Sequence, residues 1–189
     1  DMMKTRGRKA ETLNPENPLA LVGLAAHYFF SGDFTNAISY SEKAINFNPS
    51  YALSLWWSGL IKAHGGLFQE AENLVKKALE LSPVDPEIER IYGALYCSYL
   101  GQEKYTEALE ASEKALQYHP DQGHMLGWRA AVLGHLEANE KAKKAVQRYL
   151  ELRPNLKTKE DFRQIFVPNS KLTEPIIEGL IKAGWKPKS

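Results

Sequence analysis

The chain has 189 residues, of which 43% are hydrophobic and 25% charged, and Lys+Arg 24 against Asp+Glu 23 leaves a formal charge of +1. That composition is one of a folded globular chain and excludes extensive disorder, while the balanced charge offers no bulk attraction to nucleic acid or to an anionic membrane. The single cysteine excludes an internal disulfide, and the most apolar stretch, residues 19–30, is too short to span a bilayer and contains His27.

Prolines at Pro15, Pro49, Pro83, Pro120 and Pro154 are separated by 34, 34, 37 and 34 residues. Small residues keep step with them: Ala37, Ala71, Ala108 and Ala142 each lie twelve positions before a proline, and Ala10, Ala44, Ala78 and Ala115 lie five before. A period near 34 predicts tandem helix-turn-helix units. The alanines let two antiparallel helices approach, and the proline ends the second helix of each unit.

In chain order, residues 1–15 read either as the second half of an incomplete unit, which predicts a chain cut from a longer protein, or as a short N-terminal helix that shields the first full unit. Residues 18–49 form the first full unit, with Asn17 as helix cap and Pro18 in the first turn, where no amide partner is needed. Residues 52–83 form the second. Its adjacent Trp56 and Trp57 point about 100° apart on a helix, so one enters the core and the other faces a groove or neighbour. Residues 86–120 form the third, with Asp85 as cap and three extra residues expected late in its first helix or in the GQEKY turn. The fourth, residues 123–154, carries Glu137 and Asn139 where the earlier turns have Gly32, Gly66 or Gly101 and Phe34, Phe68 or Tyr105. Beyond Pro154 the phase stops. Thr158 and Asp161 open a helix with Phe162, Ile165 and Phe166 on one face, and a break at Val167-Pro168 precedes a last helix. That helix is capped by Ser170 or Thr173, striped by Ile176, Ile177, Leu180 and Ile181, and stopped by Gly184. Residues 157–185 are expected to cover the open apolar end of the stack.

These units resemble tetratricopeptide repeats, whose pattern W-x2-L-G-x2-Y, A-x3-F, P is met by Leu21, Leu24, Ala25, Tyr28, Ala37, Ser41 and Pro49 in the first. The second supplies Leu55, Ser58, Gly59, Lys62, Ala71, Val75 and Pro83, the third Glu89, Tyr92, Gly93, Tyr96, Ala108, Ser112 and Pro120, and the fourth Leu126, Arg129, Ala130, Leu133, Ala142, Val146 and Pro154. The resemblance implies an all-α fold, a right-handed α-solenoid in a single domain with a C-terminal helical cap. It also implies a concave groove lined by first helices, with Phe29, Phe30, Trp56, Leu60, His64, Arg90, Cys97 and His135 as partner-binding residues. The Lys and Asn set with which some relatives clamp a C-terminal carboxylate is missing. The tail, through Phe166, Pro168, Glu178, Gly179, Leu180, Lys182, Ala183 and Gly184, is similar to the end of repeat segments that follow a nucleotide cyclase or winged-helix domain in bacteria.

Chemistry is sparse. There is no phosphate-cradling G-x-x-x-x-G-K-[ST] loop, no H-E-x-x-H and no paired cysteines. His119 and His124 flank Asp121 at a spacing that matches no zinc pattern. His64 and Cys97 fall at similar places in successive first helices, yet a Cys/His pair without an oriented base or oxyanion site is no catalyst, and groove lining is the simpler reading. The expectation is therefore a non-enzymatic scaffold without cofactor or metal that binds a protein or peptide, contacts neither nucleic acid nor membrane, and works in the cytoplasm. It would be the C-terminal part of a larger bacterial signalling or regulatory protein. Two rival readings are a homodimerisation module, paired through the incomplete unit, and a small-molecule sensor domain.

Overall fold

The computed structural model describes residues 17–188, which fold into ten helices without a strand. Four hairpins come first: α1 (Pro18–Phe30) with α2 (Phe34–Phe47), α3 (Ala52–Gly65) with α4 (Phe68–Leu81), α5 (Ile88–Gly101) with α6 (Tyr105–Tyr118), and α7 (Gly123–His135) with α8 (Asn139–Glu151). A short α9 (Lys159–Ile165) and a final α10 (Thr173–Lys182) follow. The phased alanines Ala37, Ala71 and Ala108 are fully buried, as are Ala44, Ala78 and Ala115. At Gly59 a Cβ would strike Val75, so the two helices of the second hairpin approach as closely as backbone and valine permit. Asn17 caps α1 by accepting the Leu19 amide at 3.0 Å. The first helices α1, α3 and α5 touch across successive hairpins while the second helices make no comparable contact, so first helices form the inner wall of an α-solenoid.

Each hairpin turn is closed by one repeated hydrogen bond. The amides of Asp33, Leu67, Lys104 and Ala138 donate to the carbonyls of Tyr28, Lys62, Tyr99 and Leu133 at 2.8–3.0 Å. The residue just before each donor is left-handed: Gly32, Gly66, Glu103 and Glu137, with φ of 75°, 94°, 58° and 52°. Glutamate thus stands twice where glycine is the relaxed choice.

This register corrects the reading of the third unit. Its three extra residues lie neither late in α5 nor in the GQEKY turn. The turn is in step with the others, and the additional length falls between Pro83 and Ile88, ahead of the helix. The helix positions equivalent to Leu55, Ser58, Gly59 and Lys62 are consequently Tyr92, Leu95, Tyr96 and Tyr99, not Glu89, Tyr92, Gly93 and Tyr96. Asp85 is likewise corrected: its carboxylate accepts the Glu87 amide at 2.8 Å within that longer connection, and no side chain caps α5. Tyr96 is buried, stacks on Trp128 at 5.2 Å and donates its hydroxyl to the Trp128 carbonyl at 2.8 Å, joining α5 to α7.

The tail begins as expected and then departs. Thr158 and Asp161 form a complete capping box on α9, and Phe162 is buried. Ile165, however, is 61% exposed: α9 ends there, too short to bring a second turn of apolar residues onto its packed face. Neither Ser170 nor Thr173 caps α10: Leu172 is the cap residue and no side chain caps the helix, the Ser170 hydroxyl accepting the Leu172 amide at 3.1 Å in the turn before it and Thr173 being already the first helical residue. Ile176, Ile177 and Leu180 are buried, Ile181 is partly exposed, and Gly184 ends the helix at φ 112°. Helix α10 packs on α7 through glycine: a Cβ on Gly134 would collide with the carbonyl of Gly179, and one on Gly179 with that of Ala131. An isolated parallel bridge joins Thr158 to Lys188 near the end of the described chain.

Candidate interaction groove

The centre of the inner wall is an aromatic and uncharged cluster. His64, 2% exposed near the end of α3, meets the Phe29 ring edge-on at 4.9 Å, and its Nε2 lies 3.7 Å from Cys97 Sγ on α5. Helix spacing brings these three together because α1, α3 and α5 lie side by side. The other face of the imidazole is taken by the chain's own tail. The Phe166 ring stacks on it at 5.5 Å, Ser170 Oγ is hydrogen-bonded to Nδ1 at 2.9 Å, and the Lys171 amide donates to the His64 carbonyl at 2.9 Å.

From that centre the tail reaches both ends of the wall. Asn169 Nδ2 donates to the Gly32 carbonyl at 3.3 Å in the first hairpin, and the Phe166 ring also lies 6.4 Å from Trp128 in the fourth. His135 is half-buried on the rim, stacked on Tyr105 at 4.5 Å, with Nε2 2.8 Å from the Pro175 carbonyl. Residues 162–185 therefore lie along the wall from the first hairpin to the fourth.

The remaining groove residues scatter. Trp56 is buried and stacked on Trp57 at 5.0 Å, its indole N–H without a hydrogen-bond partner. Leu60 is half-buried. Phe30 is 56% exposed beside the edge of Trp57 at 6.3 Å. Arg90 lies at the opposite end of α5 from His64, paired with Glu87 at 2.9 Å. Residues 1–15, on which the homodimer reading rested, lie outside the described residues. Sequence reasoning missed Phe166, Asn169 and Ser170 as groove residues, and the F-x-P break within the tail was the available signal.

Electrostatics argue against chemistry at this cluster. Burial pushes the His64 imidazole down to about 3 and the Cys97 thiol upward, so at neutral pH a neutral imidazole faces a neutral thiol. A nucleophilic pair requires thiolate and imidazolium, the charged forms that this site disfavours. Charge is instead handled by local pairing. Lys62, where the repeat pattern has tyrosine, is buried between Glu42 at 2.6 Å and Glu70 at 2.8 Å. Glu72 is penalised by burial, but hydrogen bonds from Lys104, Lys76 and Gln102 outweigh that and hold its carboxyl at about 2. Among the described residues no three His, Cys, Asp or Glu side chains are grouped to hold a metal, and no helix is long and apolar enough to cross a membrane.

Residues 22–86 and 94–156 match the family described as tetratricopeptide repeat. Over 131 residues the chain is 28% identical to the TPR repeat-containing protein YpiA of Bacillus subtilis (strain 168); this is 69% of the chain but 30% of YpiA, so the chain spans less than a third of that curated relative. Among solved structures, PilF of Pseudomonas aeruginosa aligns with a TM-score of 0.67 at 22% identity, over 78% of this chain and 66% of that one. YrrB, described as a TPR protein with an unusual peptide-binding site, aligns with a TM-score of 0.61 at 18% identity, over 94% and 90%. At such identities the structural likeness is one of fold.

Proposed function

The chain belongs to the tetratricopeptide repeat family, and from that premise we propose that it is a non-catalytic interaction scaffold that holds a segment of a partner protein against its inner wall. The observation that carries this reading is the tail itself. A non-repeat segment already lies on the wall through one stacked aromatic, one hydroxyl and two backbone carbonyls, which is the way a repeat groove takes a peptide. The neutral thiol and imidazole support the absence of catalysis.

The scaffold works within a larger bacterial signalling or regulatory protein. The short share of YpiA supports a larger parent, and the tail pattern supports one that carries a cyclase or winged-helix domain. A peptide library displayed on phage and selected against the protein tests the reading. Selected peptides should carry an aromatic anchor and photo-cross-link to α1, α3, α5 or α7. Cross-links confined to the outer faces of α2, α4 and α6 would overturn it.

One cavity favours a second reading, a small-molecule site between wall and tail. Its volume is about 460 Å³, lined by Gly66, Phe68, Leu100, Tyr105, His135 and Lys171 among others. A nucleotide that raises the melting temperature of the wild type and not of Tyr105→Ala would select that reading over peptide binding.

A further inference from the structure

The tail that lies on the inner wall is built in two parts that differ in kind. Helix α10 is committed: Leu172, Ile176 and Leu180 are fully buried, and the Gly134–Gly179 approach is backbone on backbone. Residues 163–171 are not. Most of them are exposed, and within that stretch only Phe166, Val167 and Ser170 are partly covered. The stretch is pinned at both ends by buried Phe162 and Leu172. Its neck is closed by its own ion pair, Arg163 Nε and Nη2 to the two carboxylate oxygens of Glu174 at 2.9 and 3.1 Å. A loop whose ends already meet can move at its tip without carrying α9 or α10 with it.

What the tip covers is the aromatic centre of the wall. Asn169, at φ 59°, reaches the Gly32 carbonyl, Ser170 meets His64, and Phe166 fills the space between His64 and Trp128. Phe29, His64, Cys97 and Trp128 carry no formal charge at neutral pH, and the wall otherwise presents two carbonyl acceptors that any extended backbone or amide can satisfy. Selectivity must then reside in the aromatic slot.

We propose that residues 163–171 are a displaceable strap that competes in cis for the partner groove, and that the partner segment is uncharged and extended, with an aromatic side chain that replaces Phe166 between His64 and Trp128. This rests on the functional reading above. A competing strap raises the apparent dissociation constant of the partner by the ratio of closed to open forms.

The test uses a labelled synthetic peptide with the uncharged central sequence of the strap, residues 164–170, QIFVPNS, added to the full chain and to its Phe166→Ala variant. The variant should bind the peptide about tenfold more tightly than the wild type, since a half-buried phenyl contact is worth about one decade in affinity. A peptide with alanine in place of its phenylalanine should bind neither. Equal affinity of the two proteins would overturn the inference, as would a wild-type dimer at high concentration that exchanges straps between copies. Should Phe166→Ala lose its cooperative melt, the double change Asn169→Ala and Ser170→Ala removes the latch and leaves the wall intact. Hydrogen exchange gives an independent readout in the wild type: the Lys171 amide should exchange faster than those of Ala183 and Trp185, and equal protection would sink the strap. If neither protein takes this peptide while library peptides still cross-link to the inner wall, the strap fails and the scaffold reading stands. Cross-links confined to the outer face would remove that reading, whatever the exchange rates show.

Discussion

Helix α10 and the strap before it are neighbours in sequence and lie on the same wall, yet they are attached by different physics. The helix is held by close approach of two backbones at Gly134 and Gly179 and by a fully buried apolar stripe. The strap is held by the Phe166 ring, by Val167 packed against the Phe29 and Ile61 cluster, by Pro168 resting against Gly32, and by a few hydrogen bonds around His64 and Gly32. Fully buried helix-on-helix packing at two facing glycines tolerates no change, whereas partly covered side chains and single polar contacts of about 1 kcal/mol each are adjustable. One tail therefore combines a permanent end cap with a removable cover.

The sharpest way to break that contrast is Gly179→Ala. Its Cβ would collide with the Ala131 carbonyl, so α10 must shift bodily. We expect a loss of roughly 3 kcal/mol or more in urea denaturation, with the cap detached. A loss below about 1 kcal/mol would show that the helix is no more committed than the strap.

Acid titration probes the strap's anchor. The His64 imidazole is depressed from its ordinary 6.5 to about 3 by burial, so between those values the unfolded chain binds the proton that the folded chain refuses. Stability should fall as pH is lowered through that window, by up to ~1.4 kcal/mol per unit. Measured from pH 6.5 to 4.5, His64→Gln should show a flatter dependence than the wild type, and Glu72, whose contribution enters as pH approaches 4.5, is present in both proteins. His124, also depressed by burial, remains in both proteins and cancels in the comparison. Equal slopes would place His64 in contact with water.

Phe166→Ala should cost about 2 kcal/mol, less than a fully buried phenylalanine, and leave the helical circular dichroism unchanged. Arg163→Ala, at the exposed neck, should cost less than Phe166→Ala and do so only at low salt. An Arg163 loss larger than that of Phe166 would mean that the neck, and not the ring, holds the strap.

The hairpins were legible in the sequence because their determinants are local and periodic. Prolines, phased alanines and the Asn17 cap act within a few residues of where they stand. The third unit misled because Gly93 imitates the pattern's glycine three residues early, and only the turn hydrogen bonds fix the register. The two left-handed glutamates, Glu103 and Glu137, show why turn residues alone were a poor guide: packing on both sides imposes a conformation that the side chain does not prefer. Of the candidate groove, Phe29, His64 and Cys97 were readable as members of one wall. The occupancy of that wall was not, because a contact such as Asn169 to Gly32 joins residues 137 apart and leaves no periodic trace.

That long contact also sets a measure. The strap's tip meets the hairpin of Gly32 while its neck stays beside that of Trp128, so its span is matched to the distance between those two among the described residues. Inserting a further 34-residue unit would carry Gly32 beyond reach by roughly the 10 Å width of a helix layer, leaving Asn169 without its carbonyl and the first hairpin bare. The tail thus measures the distance from the hairpin of Gly32 to that of Trp128, and adding a unit between those two would require lengthening the tail in proportion.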